Sequence, residues 1–331
     1  MMEPRSDRVV DEGQIPEGAT WVRFPRFVGD AVMQLPVLRL LRQMNIGPIV
    51  AWGPAAAVSL VEDHPLADAV VPDRGKPGVM DLTRLLHTHH PTRSIHFPKS
   101  LRPALAAFLA RVPERIGVNE SLAGFFNTVS GPFWSASGPF MQRYHAVLAK
   151  RWPDLPPMPF ADYDPGLSIQ SPEGPYICLM PGSTWPSKAW PTDHFSKLAR
   201  IARDRGFGVV ILGTAGESAI CGSVMDATHN LCGATNLKQA AAWLRGASGA
   251  VGNDSGLSHL AAACGTPTLA LYGATDPGGS TPWGPRTASL RRDDIPCAPC
   301  FKRDCEIEGH PCLAGLDAER AWNALESLMR T

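Results

Sequence analysis

The residues best suited to chemistry fall in four short segments and one cysteine-rich run. The first segment is Val251-Gly252-Asn253-Asp254-Ser255-Gly256-Leu257-Ser258-His259. An apolar run ends at Val251, Asp254 or Ser255 can cap, and Leu257, Leu260 and Ala261 recur at helical spacing. A strand feeding a helix in this way presents free N–H groups and the positive end of the helix dipole, which favours a bound anion such as phosphate. Gly256 removes the side chain that would keep a ligand off the backbone. An ordinary capped strand–helix turn would show the same pattern. The second segment is Met180-Pro181-Gly182-Ser183-Thr184-Trp185-Pro186-Ser187-Lys188-Ala189-Trp190-Pro191. Ser183 and Thr184 offer hydroxyls and N–H groups, and Lys188 offers a mobile ammonium; together they suit a diphosphate. The spacing is not that of the Gly-x4-Gly-Lys-Ser/Thr phosphate loop, and a surface loop resting on its tryptophans is the plainer alternative. In the third segment, Leu212-Gly213-Thr214-Ala215-Gly216-Glu217, Glu217 can accept from ribose hydroxyls or serve as a first-turn acid favoured by the dipole. The fourth is Arg23-Phe24-Pro25-Arg26-Phe27-Val28-Gly29-Asp30. Asp30 reads either as an N-cap or as a carboxylate free to act as a general base.

Cys297-x2-Cys300-x4-Cys305-x6-Cys312, with His310 inside it, matches zinc spacing in part. Its second pair is not Cys-x2-Cys, and a loop of reduced thiols accounts for it equally. Cys178, Cys221, Cys232 and Cys264 lie in apolar settings typical of buried thiols.

These segments need elements to hold them. Apolar strands are expected at 19–24, 49–52, 69–71, 94–97, 176–180, 207–212, 250–251 and 268–272, and helices at 31–44, 101–110, 141–151, 192–205, 217–227, 237–245, 255–264 and 317–329. Continuous apolar strands alternating with amphipathic helices imply parallel sheets covered on both faces, an α/β fold. A chain of 331 residues exceeds the usual reach of one core. Seven prolines between 152 and 175 block helix and central strand and stiffen a connector. The division expected is therefore 1–160, a linker at 161–175, and 176–331, with ligands at the carboxyl ends of the strands. The closing helix is free to pack back on the first domain.

Thirty-one basic and thirty-one acidic residues balance, which argues against a general nucleic-acid binder. Residues 1–18 are polar and carry no apolar core, unlike a signal peptide, and no run is long enough to span a bilayer. Both point to the cytoplasm.

The four segments, in this order and over nearly the whole chain, resemble the heptosyltransferase family of glycosyltransferases (family 9), on its lipopolysaccharide heptosyltransferase II side. The run from Cys297 to Leu313 resembles a stretch common there. The resemblance implies the glycosyltransferase-B fold: two Rossmann-like doubly wound domains facing a central cleft. It implies an inverting transfer from ADP-heptose to a heptose on the Kdo–lipid A inner core of lipopolysaccharide, with a peripheral contact at the inner membrane. By position, Asp30 matches the general base. Ser183, Thr184 and Lys188 match the diphosphate loop, Glu217 the ribose contact, and Asp254, Ser255, Gly256 and His259 the donor-binding junction. No cofactor is implied, and no metal is required if those groups neutralise the diphosphate. Other acceptors, including a protein, and a nucleotide-binding module without activity are the alternatives. Two features depart from the pattern: Phe27 replaces a tryptophan usual before Val-Gly-Asp, and the first eighteen residues have no counterpart. Arg102, Arg111 and Arg115 are candidates for anionic core sugars, against the commoner role of a solvated surface charge.

Overall fold

A computed structural model of the chain describes residues 15–97, 100–120, 122–133, 137–170 and 172–330. Most of the polar 1–18 segment lies outside the described residues. Packing divides the chain into two compact units. The first comprises residues 1–26, 37–137 and 142–158, the second 27–36, 138–141 and 159–331.

In chain order the first half forms β1 (Thr20–Arg23), α1 (Val28–Val32), α2 (Gln34–Gln43), β2 (Ile49–Gly53), α3 (Ala55–Val58), β3 (Ala69–Pro72), α4 (Val79–His89), β4 (Arg93–His96), α5 (Leu101–Leu109), β5 (Glu114–Val118), β6 (Val129–Gly131) and α6 (Phe140–Ala149). Its strands make one all-parallel sheet in the order β3-β2-β1-β4-β5-β6. The reversal of order between β1 and β4 marks the switch point of a doubly wound sheet. Trp21, Val50 and Trp52 meet Leu82, Leu86, Ala106 and Ala107 in a buried core on the α4–α5 side of this sheet.

The second half forms β7 (Tyr176–Met180), α7 (Thr192–Asp204), β8 (Gly208–Ile211), α8 (Ser218–Gly222), β9 (His229–Asn230), α9 (Leu237–Gly246), β10 (Gly249–Asn253), α10 (Gly256–Ala263), β11 (Thr268–Leu271), α11 (Pro277–Ser280), β12 (Thr287–Leu290), α12 (Pro311–Ala314) and α13 (Ala318–Arg330). The sheet order is β12-β11-β10-β7-β8-β9, again all parallel. Its switch point falls between β7 and β10. Every residue of both strands is buried, as a sheet covered on two faces requires.

Three expectations are corrected. The helix read over 31–44 is two helices, α1 and α2, with a break at Met33. Pro36 explains the break: it has no N–H for the Val32 carbonyl, and its ring crowds that carbonyl. The helix expected over 217–227 is a 3₁₀ turn, Ala215–Glu217, and the short α8. The closing helix, α13, packs within the second unit rather than on the first, burying Ala321, Trp322 and Leu325 with Leu198 and Val251. The proline-rich stretch carries no helix or strand among its described residues.

Candidate active site

The loops after β7, β8 and β10 leave the sheet at and beside the switch point of the second unit, where a doubly wound sheet binds its ligand. Asn253, the last residue of β10, ties two of them together. Its Nδ2 donates to the Pro181 carbonyl at 2.8 Å, and its Oδ1 accepts the Trp190 N–H at 3.0 Å. The amide is fully buried, so leaving its groups unpaired would cost on the order of 1–3 kcal/mol. The 181–190 loop is thereby fixed at both ends on the strand that leads into Asp254.

Lys188 and Asp254 form an ion pair at 2.7 Å with side chains 17% and 7% exposed. Thr275 Oγ1 donates to the same carboxylate oxygen at 2.7 Å. A bare carboxylate here would repel a diphosphate; paired, it instead holds the ammonium in place, and two of the three ammonium protons stay available to another acceptor. Asp254 does not cap α10. Ser255 holds the N-cap position, without a side-chain bond. Ser258 Oγ donates to the Asn253 carbonyl at 2.7 Å.

Asp30 belongs to the same unit, although it lies early in the chain. It is not an N-cap: Phe27 occupies that position, the Ala31 N–H reaches the Phe27 carbonyl at 2.9 Å, and Asp30 sits in the first turn of α1. Two glycines let α1 lie against α10. A Cβ on Gly256 would stand 2.9 Å from Val28 Cβ and 3.0 Å from the Gly29 nitrogen. A Cβ on Gly29 would stand 3.2 Å from His259 Cδ2. The space expected to admit a ligand at Gly256 is thus filled by the protein's own α1. Burial raises the Asp30 carboxyl above its ordinary 3.8, and the charge on Lys188 partly opposes this. Burial likewise depresses His259 below 6.5, against the pull of Asp254, so its imidazole is neutral near pH 7.

Glu217 takes up the structural one of its two readings. Its Oε2 accepts the Thr214 N–H at 2.7 Å and the Thr214 hydroxyl at 2.8 Å, which caps the turn. Its other oxygen leans over Gly182, where an added Cβ would lie 2.1 Å away. Ser183 is engaged locally, its hydroxyl donating to the Trp185 carbonyl at 3.0 Å, and Thr184 is exposed. The second unit therefore gathers Asp30, Lys188, Asp254 and His259 in one place, with Glu217 reaching the β7 loop from the end of β8.

One participant, Thr275, carried no sequence signal, and two others, Ser187 and His310, lie in segments singled out above without this role. Thr275 is a lone hydroxyl in a loop. Ser187 is buried, with its N–H on the Arg303 carbonyl at 3.1 Å and its hydroxyl on the Lys302 carbonyl at 2.5 Å. His310 Nε2 lies 2.9 Å from the Ser187 carbonyl, and the Phe301 N–H reaches Ala274 at 2.8 Å. The cysteine-rich run thus buttresses the loops carrying Lys188 and Thr275. All four of its thiols are free, with Cys297 and Cys305 exposed and Cys312 buried. Among the described residues, no three His, Cys, Asp or Glu side chains are grouped as a metal ion would need. Arg102 and Arg115, in the first unit, bond to carbonyls: Arg102 to Pro77 at 3.2 Å, Arg115 to Phe126 and Val112 at 2.6 Å each.

The sequence matches the description "glycosyltransferase family 9 (heptosyltransferase)" over residues 79–310. It is 27% identical over 303 residues to lipopolysaccharide heptosyltransferase 2 of Escherichia coli K12, covering 81% of this chain and 86% of that protein. It is 38% identical over 151 residues to lipopolysaccharide heptosyltransferase 1 of Pseudomonas aeruginosa, covering 45% of this chain but only 40% of that protein. Among solved structures it is similar to the E. coli ADP-heptose lipopolysaccharide heptosyltransferase II, with a TM-score of 0.74, 25% identity, and coverage of 94% and 98% of the two chains. Two doubly wound parallel sheets are the α/β architecture of the glycosyltransferase-B fold, and among the described residues no helix is long and apolar enough to cross a membrane. With more than two thirds of its length matched to the family and its sheets wound as the family's are, the chain belongs to glycosyltransferase family 9, the heptosyltransferases, and is a glycosyl-transferring enzyme.

Proposed function

We propose that the chain transfers heptose from ADP-heptose, with inversion, to the heptosyl-Kdo2-lipid A inner core of lipopolysaccharide, at the cytoplasmic face of the inner membrane. The observation that carries this reading is the placement of Asp30. A partly shielded carboxylate of raised proton affinity stands beside the Lys188–Asp254 pair and the start of α10. Inversion needs one base to take the proton from the acceptor hydroxyl as its oxygen attacks the anomeric carbon. As that bond forms, the bond to the β-phosphate oxygen breaks and charge builds on ADP. Lys188 and the first amides of α10 are oriented before the reaction to meet that charge, which is where fixed dipoles accelerate most. Glu217 binds the ribose in this scheme, and Ser183 and Thr184 line the diphosphate. The residues invoked supply base and counter-charge, so no cofactor is required. The names of the relatives support ADP-heptose as donor and lipopolysaccharide as the product class, the heptosyl-Kdo2-lipid A acceptor follows from the family resemblance, and lipid-linked acceptor chemistry implies peripheral membrane contact.

The test is incubation of the purified chain with ADP-heptose and heptosyl-Kdo2-lipid A, following product mass and ADP release. Asp30→Asn should lower kcat by roughly 10²- to 10⁴-fold, the usual weight of a general base, with little change in the KM for donor. Transfer at the wild-type rate by this variant would refute the assignment of the base. ADP binding with no transfer to any acceptor would mark a nucleotide-binding module.

A further inference from the structure

We propose that the outer face of the α4–α5 layer in the first unit, continued by the 3₁₀ turn Leu122–Phe126, is a docking surface for an anionic lipid bilayer. The inference rests on the lipid-linked acceptor proposed above, but on different residues. Among the described residues this face holds large apolar side chains that stand exposed: Phe125 is 83% exposed, Leu122 64% and Met80 63%, with Phe108 and Leu109 nearly half exposed. They are not scattered. α4 packs along α5, and the 3₁₀ turn packs on α5. The Phe108 and Phe126 rings stand 5.3 Å apart, with the Arg115 guanidinium 5.6 Å from the Phe108 ring. Exposed apolar side chains gathered on elements that pack on one another mark an interaction site.

Charge selects the partner. From 73 to 126, the span that forms this layer and the turn, the chain carries eight Lys and Arg against four Asp and Glu, and two of those acids are held in ion pairs, Asp73 by Arg23 and Glu114 by Arg93 and Arg151, although the whole chain sums to zero. Asp81 is exposed and caps the start of α4, accepting the Gly78 N–H at 2.9 Å. Phenylalanine and leucine among cations with little opposing acid is the make-up of a surface that rests at the headgroup boundary. The rings reach the acyl edge while arginine and lysine heads stay with lipid phosphates. A protein partner of ordinary surface would gain little from such an excess of one sign.

Sedimentation of the full chain with vesicles tests this. Wild type should bind vesicles of phosphatidylcholine with one third phosphatidylglycerol, release with rising salt, and bind pure phosphatidylcholine at least tenfold more weakly. Leu122→Asp/Phe125→Asp and Lys76→Glu/Arg84→Glu should each lose binding at least tenfold; loss of one cation near an anionic surface alone accounts for about fivefold. Met225→Asp, which changes a side chain 64% exposed on the second unit, should bind as wild type does. Transfer to acceptor dispersed in detergent should be unchanged in all of these variants. Wild type that ignores anionic vesicles, variants that bind as well as wild type, or equal loss from Met225→Asp would each overturn the proposal. So would self-association through this face, abolished by Leu122→Asp/Phe125→Asp. If vesicle binding follows this pattern but no heptose is transferred, the docking surface stands and the proposed reaction fails.

Discussion

Asp30 works against the fold that holds it. A carboxyl whose proton affinity is raised in the folded state is ionised at neutral pH only at a cost to stability. Its native form holds more protons than its unfolded form between the ordinary value of 3.8 and the raised one. Stability is therefore intact at low pH and falls as pH rises through that window. Asp30→Asn should unfold at higher urea than wild type at pH 7, with the gain gone below pH 3.8; calorimetry or urea melts at the two pH values would show it. Glu217 makes a second residue-scale case. Gly182→Ala would drive a Cβ into its carboxylate, and only that flexible side chain need move. Donor KM should rise severalfold with a loss of at most about 1 kcal/mol in stability, read by transfer kinetics beside thermal melts. The sequence left Asp30 and Glu217 each with a structural and a chemical reading. The fold removes the cap reading for Asp30, because the cap is Phe27, and gives Glu217 its structural reading, as the acid of a capping box with Thr214.

Among elements, the long apolar strands and strongly amphipathic helices were legible, because their pattern is set by burial alone. β7, β10, α7 and α13 fall within a residue or two of the expected positions, apart from β10's extra length. What escaped was short or atypical. α4 has Asp, Thr and Arg within Val79–His89 and buries only Leu82 and Leu86. β5 begins with Glu114 and Arg115, whose charges are satisfied: Glu114 by Arg93 and Arg151, Arg115 by backbone carbonyls. β9 and β12 lie at sheet edges, where exposure erases the apolar signature. His96, at the end of β4, shows a strand end that costs the first unit something in acid. Burial lowers it from 6.5 to about 4, outweighing its contact with Asn127 at 2.7 Å. The unfolded chain then binds the proton first, so stability falls as pH drops from 6.5 towards 4, by on the order of 3 kcal/mol. His96→Gln should flatten that slope in urea melts at pH 7 and pH 4.5, even if it lowers stability at both.

For the whole molecule, the sequence disclosed the α/β class, and the last of the chain's unit changes, after residue 158, falls in the proline-rich stretch. The sequence did not disclose that the chain changes unit five times, after residues 26, 36, 137, 141 and 158. Such long-range exchange leaves no local pattern, and only the glycines at 29 and 256, each needed by the other's helix, hint at it. Threading of this kind makes the polypeptide hard to divide. A protease that nicks an exposed bond within 152–175 cuts the backbone but does not dislodge 27–36 from its seat on α10. The two pieces should elute together from a sizing column and part only in denaturant, and a separately expressed 159–331 should hold ADP yet remain inert until the missing piece is supplied in trans. The continuity of this enzyme is stitched by folding as well as by the peptide bonds of its proline-rich stretch.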